Sequence, residues 1–247
     1  MVETITLSLP AVDVLGAHLK LDVRRYPFEI PPPRETRRER DELARQVWGE
    51  LESTGLAVAG NPEPEVADAL YLMCSSEVSI AAAGLLDVRN GQRLAARAVS
   101  TGEVGLLGVV TPRGLQLDFM DPGALPEVCA RLLPQAPPGR GKPVRVPVEL
   151  LRARARGSAE GQHADPTEPE LLARAYKYRI GHFVVSGTDE HGGRLRTPGL
   201  MWFDTDQGRY LMRHGEPSEG EVLDCTPLDH RGLTAQLANS LARVRGI

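Results

Sequence analysis

Gly199-Leu200-Met201-Trp202-Phe203-Asp204-Thr205-Asp206-Gln207-Gly208-Arg209-Tyr210-Leu211-Met212 decides the fold of this chain, because it admits two readings with different consequences. As a β-hairpin, its flanking apolar residues fill two strands, while Asp204, Asp206 and Gly208 supply the turn and its Asx hydrogen bonds. As a metal site, the Asp204-x-Asp206 pair offers the hard oxygens that hold Mg²⁺ or Mn²⁺ against a nucleotide-sugar phosphate. Gly208 follows Asp206 by two positions, and no Gly-x-Gly-x-x-Gly run follows an expected strand. The hairpin reading therefore sets the fold. A metal-dependent transferase using Asp204 and Asp206 stands as the alternative function.

Strand-forming segments surround this hairpin. Tyr176–Gly187, Leu195–Asp204, Arg209–Arg213 and Glu221–Thr226 read as strands. Leu228–Val244 then closes the chain as a helix, with Leu233, Leu237 and Leu241 at four-residue steps. A similar series lies upstream. Glu77–Val88, Gln92–Ser100, Val104–Thr111 and Gly114–Met120 form an antiparallel meander whose first turn is Asn90-Gly91, a pair that tolerates positive φ. Asp121 as N-cap and Pro122 behind it open a helix with Leu125, Val128, Leu132 and Leu133 on one face.

Before that meander come helices. Val12, Leu15 and Leu19 mark a short one, and Leu43, Val47 and Leu51 mark a longer one over Arg34–Thr54 that Gly55 stops. Glu65–Met73 is a third, and Tyr26–Pro31 alternates between prolines as an edge strand or extended segment. Val148–Arg156 reads as a short helix, Gly157–Thr167 as a disordered loop and Glu168–Ala175 as a brief helix. Each half thus runs through four antiparallel strands into an amphipathic helix. The expectation is one α/β (α+β) domain over residues 1–247, with halves 1–134 and 144–247 joined by the Pro/Gly linker 134–143. On pattern alone, a pseudo-twofold arrangement would hold two sheets with helices on one face.

Composition narrows the function. A chain of 247 residues buries roughly three quarters of its unfolded surface, so it folds without metals or disulfides. The net charge of -4 argues against nucleic-acid and anionic-membrane partners, which reward a basic surface. Cys74, Cys129 and Cys225 form no CxxC pair and read as small buried thiols. The N-terminus carries an acid and no basic n-region, and no run approaches the roughly 20 apolar residues of a membrane helix, so a cytoplasmic location is expected. Lysine occurs only at Lys20, Lys142 and Lys177, a bias of GC-rich bacterial genomes.

Reaction-centre motifs are sparse in this sequence. No Gly-x-Ser-x-Gly elbow is present. Gly139-Arg140-Gly141-Lys142 fails as a P-loop, with Ala136 at the first glycine position and Pro143 where a hydroxyl must bind magnesium. The six histidines form no HxxxH or HExxH pair, and His182 within its strand has no carboxylate neighbour in sequence. Six of the eleven aromatics fall between Tyr176 and Tyr210, where core packing is the default. Any of them facing outward would anchor a protein partner.

The Gly199–Tyr210 hairpin, the Tyr26–Pro31 segment, the Arg/Glu-rich helix ending near Gly55 and Asp121-Pro122 before a Leu-rich helix resemble the EspG family of type VII (ESX) secretion chaperones of actinobacteria. The likeness extends through the Pro/Gly linker to the Leu-rich C-terminal helix. It implies a pseudo-twofold fold with a central, mostly antiparallel sheet and two helical bundles. It also implies a cytosolic, non-enzymatic chaperone without cofactor that binds the tip of a PPE-type helical protein paired with a PE-type partner, or another ESX substrate such as a WXG-type protein. A homodimer is compatible with this, as is a stand-alone interaction module. In such proteins the partner is held by the loop between two early strands, a face of the sheet and the C-terminal bundle. Carried over, these become Arg89, Asn90 and Gln92 around a compact turn, Met201 and Trp202 on the sheet, and Leu233 and Leu237 on the last helix.

Overall fold

Leu200–His214 is a hairpin in which Met201 pairs with Met212, Trp202 with Leu211 and Asp204 with Arg209 across antiparallel strands. The computed structural model describes residues 4–32, 34–149, 152, 168–188, 193–214 and 221–246. The first half comprises β1 (Ile5–Leu7), α1 (Leu9–Leu19), α2 (Arg37–Ser53), β2 (Ala57–Val58), β3 (Asn61–Pro62) and α3 (Pro64–Ser75). It continues through β4 (Val78–Asp87), β5 (Gln92–Ser100), β6 (Gly105–Thr111), β7 (Gly114–Met120) and α4 (Leu125–Arg131). The second comprises β8 (Val144–Pro147), α5 (Glu168–Arg174), β9 (Arg179–Thr188), β10 (Arg194–Arg196), β11 (Leu200–Thr205), β12 (Gly208–His214), β13 (Val222–Pro227) and α6 (His230–Arg245).

One sheet runs through both halves, in the order β1-β7-β6-β5-β4-β9-β11-β12-β13-β8, with β10 also on β9. All its ladders are antiparallel. The seam is β4 against β9, from Val78 opposite Gly187 to Leu85 opposite Ile180. Outward from it, β5 matches β11, β6 matches β12, β7 matches β13, and the edge strands β1 and β8 match each other. The two sheets expected from the pattern are therefore fused into one, and the central sheet implied by the resemblance is the correct picture.

Local chemistry explains most boundaries. Thr36 and Glu39 form a reciprocal capping box that starts α2. The Asp121 side chain accepts from the Gly123 amide and opens a 3₁₀ turn ahead of α4. Asp229 does the same for α6, through the Gly232 amide at 2.8 Å. The expected strand Leu195–Asp204 is broken into β10 and β11, because Pro198 has no amide to give the ladder. Tyr26–Ile30 forms no ladder; it crosses the sheet as coil with Pro27, Phe28 and Ile30 buried. The Val148–Arg156 and Gly157–Thr167 expectations lie largely outside the described residues.

Side-chain alternation divides the sheet into two faces. One carries Ile80, Ala82, Ala96, Phe183, Val185 and Trp202 and packs against Leu125, Cys129, Leu233 and Leu237 of α4 and α6. Across the first half, the other face packs Val99, Leu106 and Leu117 against α1, α2 and α3. A small cluster of Val146, Phe203, Tyr210 and Cys225, with Leu172 of α5, covers that face at the far end of the second half. Gly181, opposite Trp202 in the register, leaves room for the indole; a Cβ there would stand 2.8 Å from Trp202 Cζ2.

An ion pair is buried beside that indole. Arg209 donates from Nε to Asp204 Oδ1 at 2.7 Å and from Nη2 to Oδ2 at 2.8 Å, and both residues are 0% exposed. Arg179 Nη1 adds a third donor at 3.2 Å, and the Arg209 guanidinium lies 5.7 Å from the Trp202 ring centre. Breaking such a pair leaves a buried charge uncompensated, at about 3–5 kcal/mol. Asp204→Asn is therefore expected to lower the urea-unfolding free energy by roughly that amount. An Asp204→Leu/Arg209→Met double variant should recover most of the loss.

Candidate partner-binding face

Between α1–α3 at one end and α5 at the other, the middle of the sheet's second face is left partly open. Its floor is Ala81 and Ala83 of β4, Ala95 and Arg97 of β5, His182 and Val184 of β9, and Met201 of β11, brought side by side by the register. The alanines are a direct result of sequence: side chains this short leave a trough where longer ones would build a ridge. Two cavities open onto it. One, of about 500 Å³, lies by Pro27, Ala83, Leu85, Arg93 and Ala95. The other, of about 400 Å³, lies by Arg25, Ser79, Arg97, Ser186, Arg194 and Arg196.

Tyr26 borders both cavities, and His182 lies against it. The Tyr26 hydroxyl is 2.5 Å from His182 Nε2, and the rings stack with centroids 6.0 Å apart. Burial, with the Arg196 charge adding to it, holds the His182 pKa below that of a free imidazole. Burial also raises the Tyr26 phenol, against the pull of Arg196. At neutral pH both groups are thus uncharged, and the tautomer of His182 sets which of the two donates. Arg97 donates to the Tyr26 carbonyl at 3.2 Å; burial first, then the charges of Arg25 and Arg194, lower its pKa to about 10, so it stays cationic.

The structure separates the residues expected to meet a partner. Arg89, Asn90 and Gln92 are exposed around the β4–β5 hairpin, whose turn is fixed by Asp87 accepting from the Asn90 amide at 2.9 Å and by Gly91 at φ 67°. Met201 is half-buried on the open face. Trp202 is a correction: adjacent strand residues point to opposite faces, so it lies beneath α6, 0% exposed. Leu233 and Leu237, also 0% exposed, are the stripe by which α6 packs on the sheet, and offer nothing to a partner in this fold.

The metal reading fails on geometry. Both Asp204 oxygens are held by guanidinium groups deep in the core, whereas Asp206 is exposed in the turn. Among the described residues no three of His, Cys, Asp and Glu gather closely enough to hold an ion. The Gly139–Arg140 stretch is strapped to β12, the Gly139 amide donating to the Arg209 carbonyl at 2.8 Å and Tyr210 Oη to the Arg140 carbonyl at 2.9 Å. Burial drives the Cys129 and Cys225 thiols up to about 12, which makes them poor nucleophiles.

Fold and face define a mixed α/β protein built on one antiparallel sheet, helix-covered on one side and cleft on the other. The family model of the EspG family matches residues 8–239, and the chain belongs to that family. Its fold is similar to that of the type VII secretion system chaperone EspG5 of Mycobacterium tuberculosis, solved in complex with a PE25-PPE41 dimer. The TM-score is 0.67 at 14% identity, over 97% of this chain and 96% of that one. No curated protein matches the sequence.

Sequence reasoning passed over Tyr26, Arg97, Arg194 and Arg196, which stand far apart in the chain. The signal was the alternation Arg93-x-Ala95-x-Arg97, which needs the register across β4 and β9 before it points to a cleft.

The His182 pairing has a pH signature. Below about pH 6.5 an unfolded histidine takes up a proton that native His182 refuses, so the unfolded state binds more protons there. Stability should fall as pH drops from about 6.5 to the lowered native value, then stop changing through this group. Denaturation midpoints from pH 7.5 to 5 should slope less for His182→Gln than for the wild type.

Proposed function

We propose that this chain is a cytosolic chaperone of a type VII secretion system, without catalytic activity, that binds a helical PE/PPE-like heterodimer and keeps it soluble until export. Membership of the EspG family over residues 8–239 carries this reading. The solved structure of EspG5 with a PE25-PPE41 dimer supports it, as a similar fold that holds such a heterodimer. The physical logic is that of covered surface: an apolar helical tip left in water associates with its own kind until another surface takes it.

The contact surface is the open sheet face with the β4–β5 hairpin tip. Met201 and the trough of Ala83 and Ala95 accept apolar side chains, and Arg89, Asn90 and Gln92 hold the rim. The cytoplasmic placement follows from membership of the EspG family.

Co-expression with PE/PPE heterodimers from the same genome, followed by affinity purification of this chain, tests the reading. One such heterodimer should co-purify stoichiometrically. Met201→Glu, which places a charge on the trough while leaving the covered face intact, should weaken recovery by on the order of tenfold. Recovery of no heterodimer, or full recovery by Met201→Glu, would remove the function or the face respectively.

A further inference from the structure

The cavity beside Arg97 holds more positive charge than the molecule neutralises. Arg24 and Arg25 have carboxylates of their own, in Asp13 and Asp22. Among the described residues none lies within ion-pair distance of Arg97, Arg194 or Arg196, although Glu77 lines the same space. Arg194 and Arg196 sit two residues apart on β10, hence on one face, with Arg196 opposite Ser186. Ser79 and Ser186 place two hydroxyls 2.8 Å apart on the floor. Arg25 Nε and Arg97 Nε are buried with no acceptor among the protein atoms. In a chain of net charge -4, this is local specialisation and not a general basic character.

We propose that this cavity is a carboxylate-binding subsite, receiving acidic side chains of the protein that occupies the open sheet face. The proposal rests on the reading that this face grips a polypeptide, and it adds what that polypeptide must carry: an acidic patch next to the apolar surface that fills the trough. Planar, forked guanidinium donors suit carboxylates, and several arginines converging on a recess select acidic groups in register with apolar ones. The trough then supplies burial, and the arginines supply orientation.

The test uses the full chain and a fluorescently labelled glutamate-rich peptide, with its glutamine counterpart as control, read by anisotropy. The acidic peptide should bind at least about tenfold tighter than the control, with affinity falling as salt rises. Arg194→Gln/Arg196→Gln, on an exposed strand, should cut that binding about tenfold with the melting temperature unchanged. Arg97→Gln should act in the same direction. Equal binding of the two peptides, or equal affinity in wild type and double variant, overturns the subsite. Inorganic phosphate should displace the peptide no better than chloride at matched ionic strength; selective displacement by phosphate would reassign the cavity to a small free anion and likewise overturn the proposal. No PE/PPE protein enters this assay, so its failure leaves the co-purification result standing, and the reverse holds too.

Discussion

The Asp204–Arg209 ion pair is the constraint on which the second half depends. Two opposite charges removed from water in one cross-strand pair hold β11 and β12 in a single register, because a slip by one residue would leave both buried and unmatched. The same guanidinium reaches the Pro134 carbonyl at 2.8 Å, and the Arg209 backbone takes hydrogen bonds with Pro137 and Gly139. The chain leaving α4 is thereby fastened to the hairpin before it enters β8. Such pairs add little net stability over apolar residues of the same size. Their value here is that only one arrangement of linker, hairpin and Trp202 satisfies them.

From that arrangement follows the division of labour between the faces. The covered side takes the large residues, with Trp202, Phe183 and the leucines of α4 and α6 closing over the seam. The other side keeps alanines, Arg97 and the Tyr26–His182 pair at its centre, flanked by helices that stand on the outer strands. A long, partly uncovered sheet surface is costly for an isolated protein, and a partner that covers it repays that cost.

Much of the architecture was legible in the sequence because it is written in periodicity. The Asn90-Gly91 turn, the two four-strand series and the leucine stripes at 125–133 and 233–241 each announce their element locally. What escaped was short or non-local. β1 and β8 have three and four residues, too few for a period, and become strands because β7 and β13 offer them an edge. Fusion into one sheet depends on β4 meeting β9, a pairing about a hundred residues apart in sequence that no local pattern signals. For the candidate face, Met201 and Trp202 looked alike as apolar neighbours, and only alternation told them apart. Leu233 and Leu237 illustrate a general trap: the stripe that makes a helix visible is the part that packing uses up.

The continuity of the seam has a mechanical outcome. Backbone hydrogen bonds from Val78 to Leu85 weld the halves along their whole shared length, so they cannot swing apart like jaws about a pivot. A receptor of this build is a preformed cradle, and it spends little conformational freedom on closing. On the proposed reading of this face, adaptation at the moment of docking falls to the side chains that line the trough and to whatever molecule is laid in it.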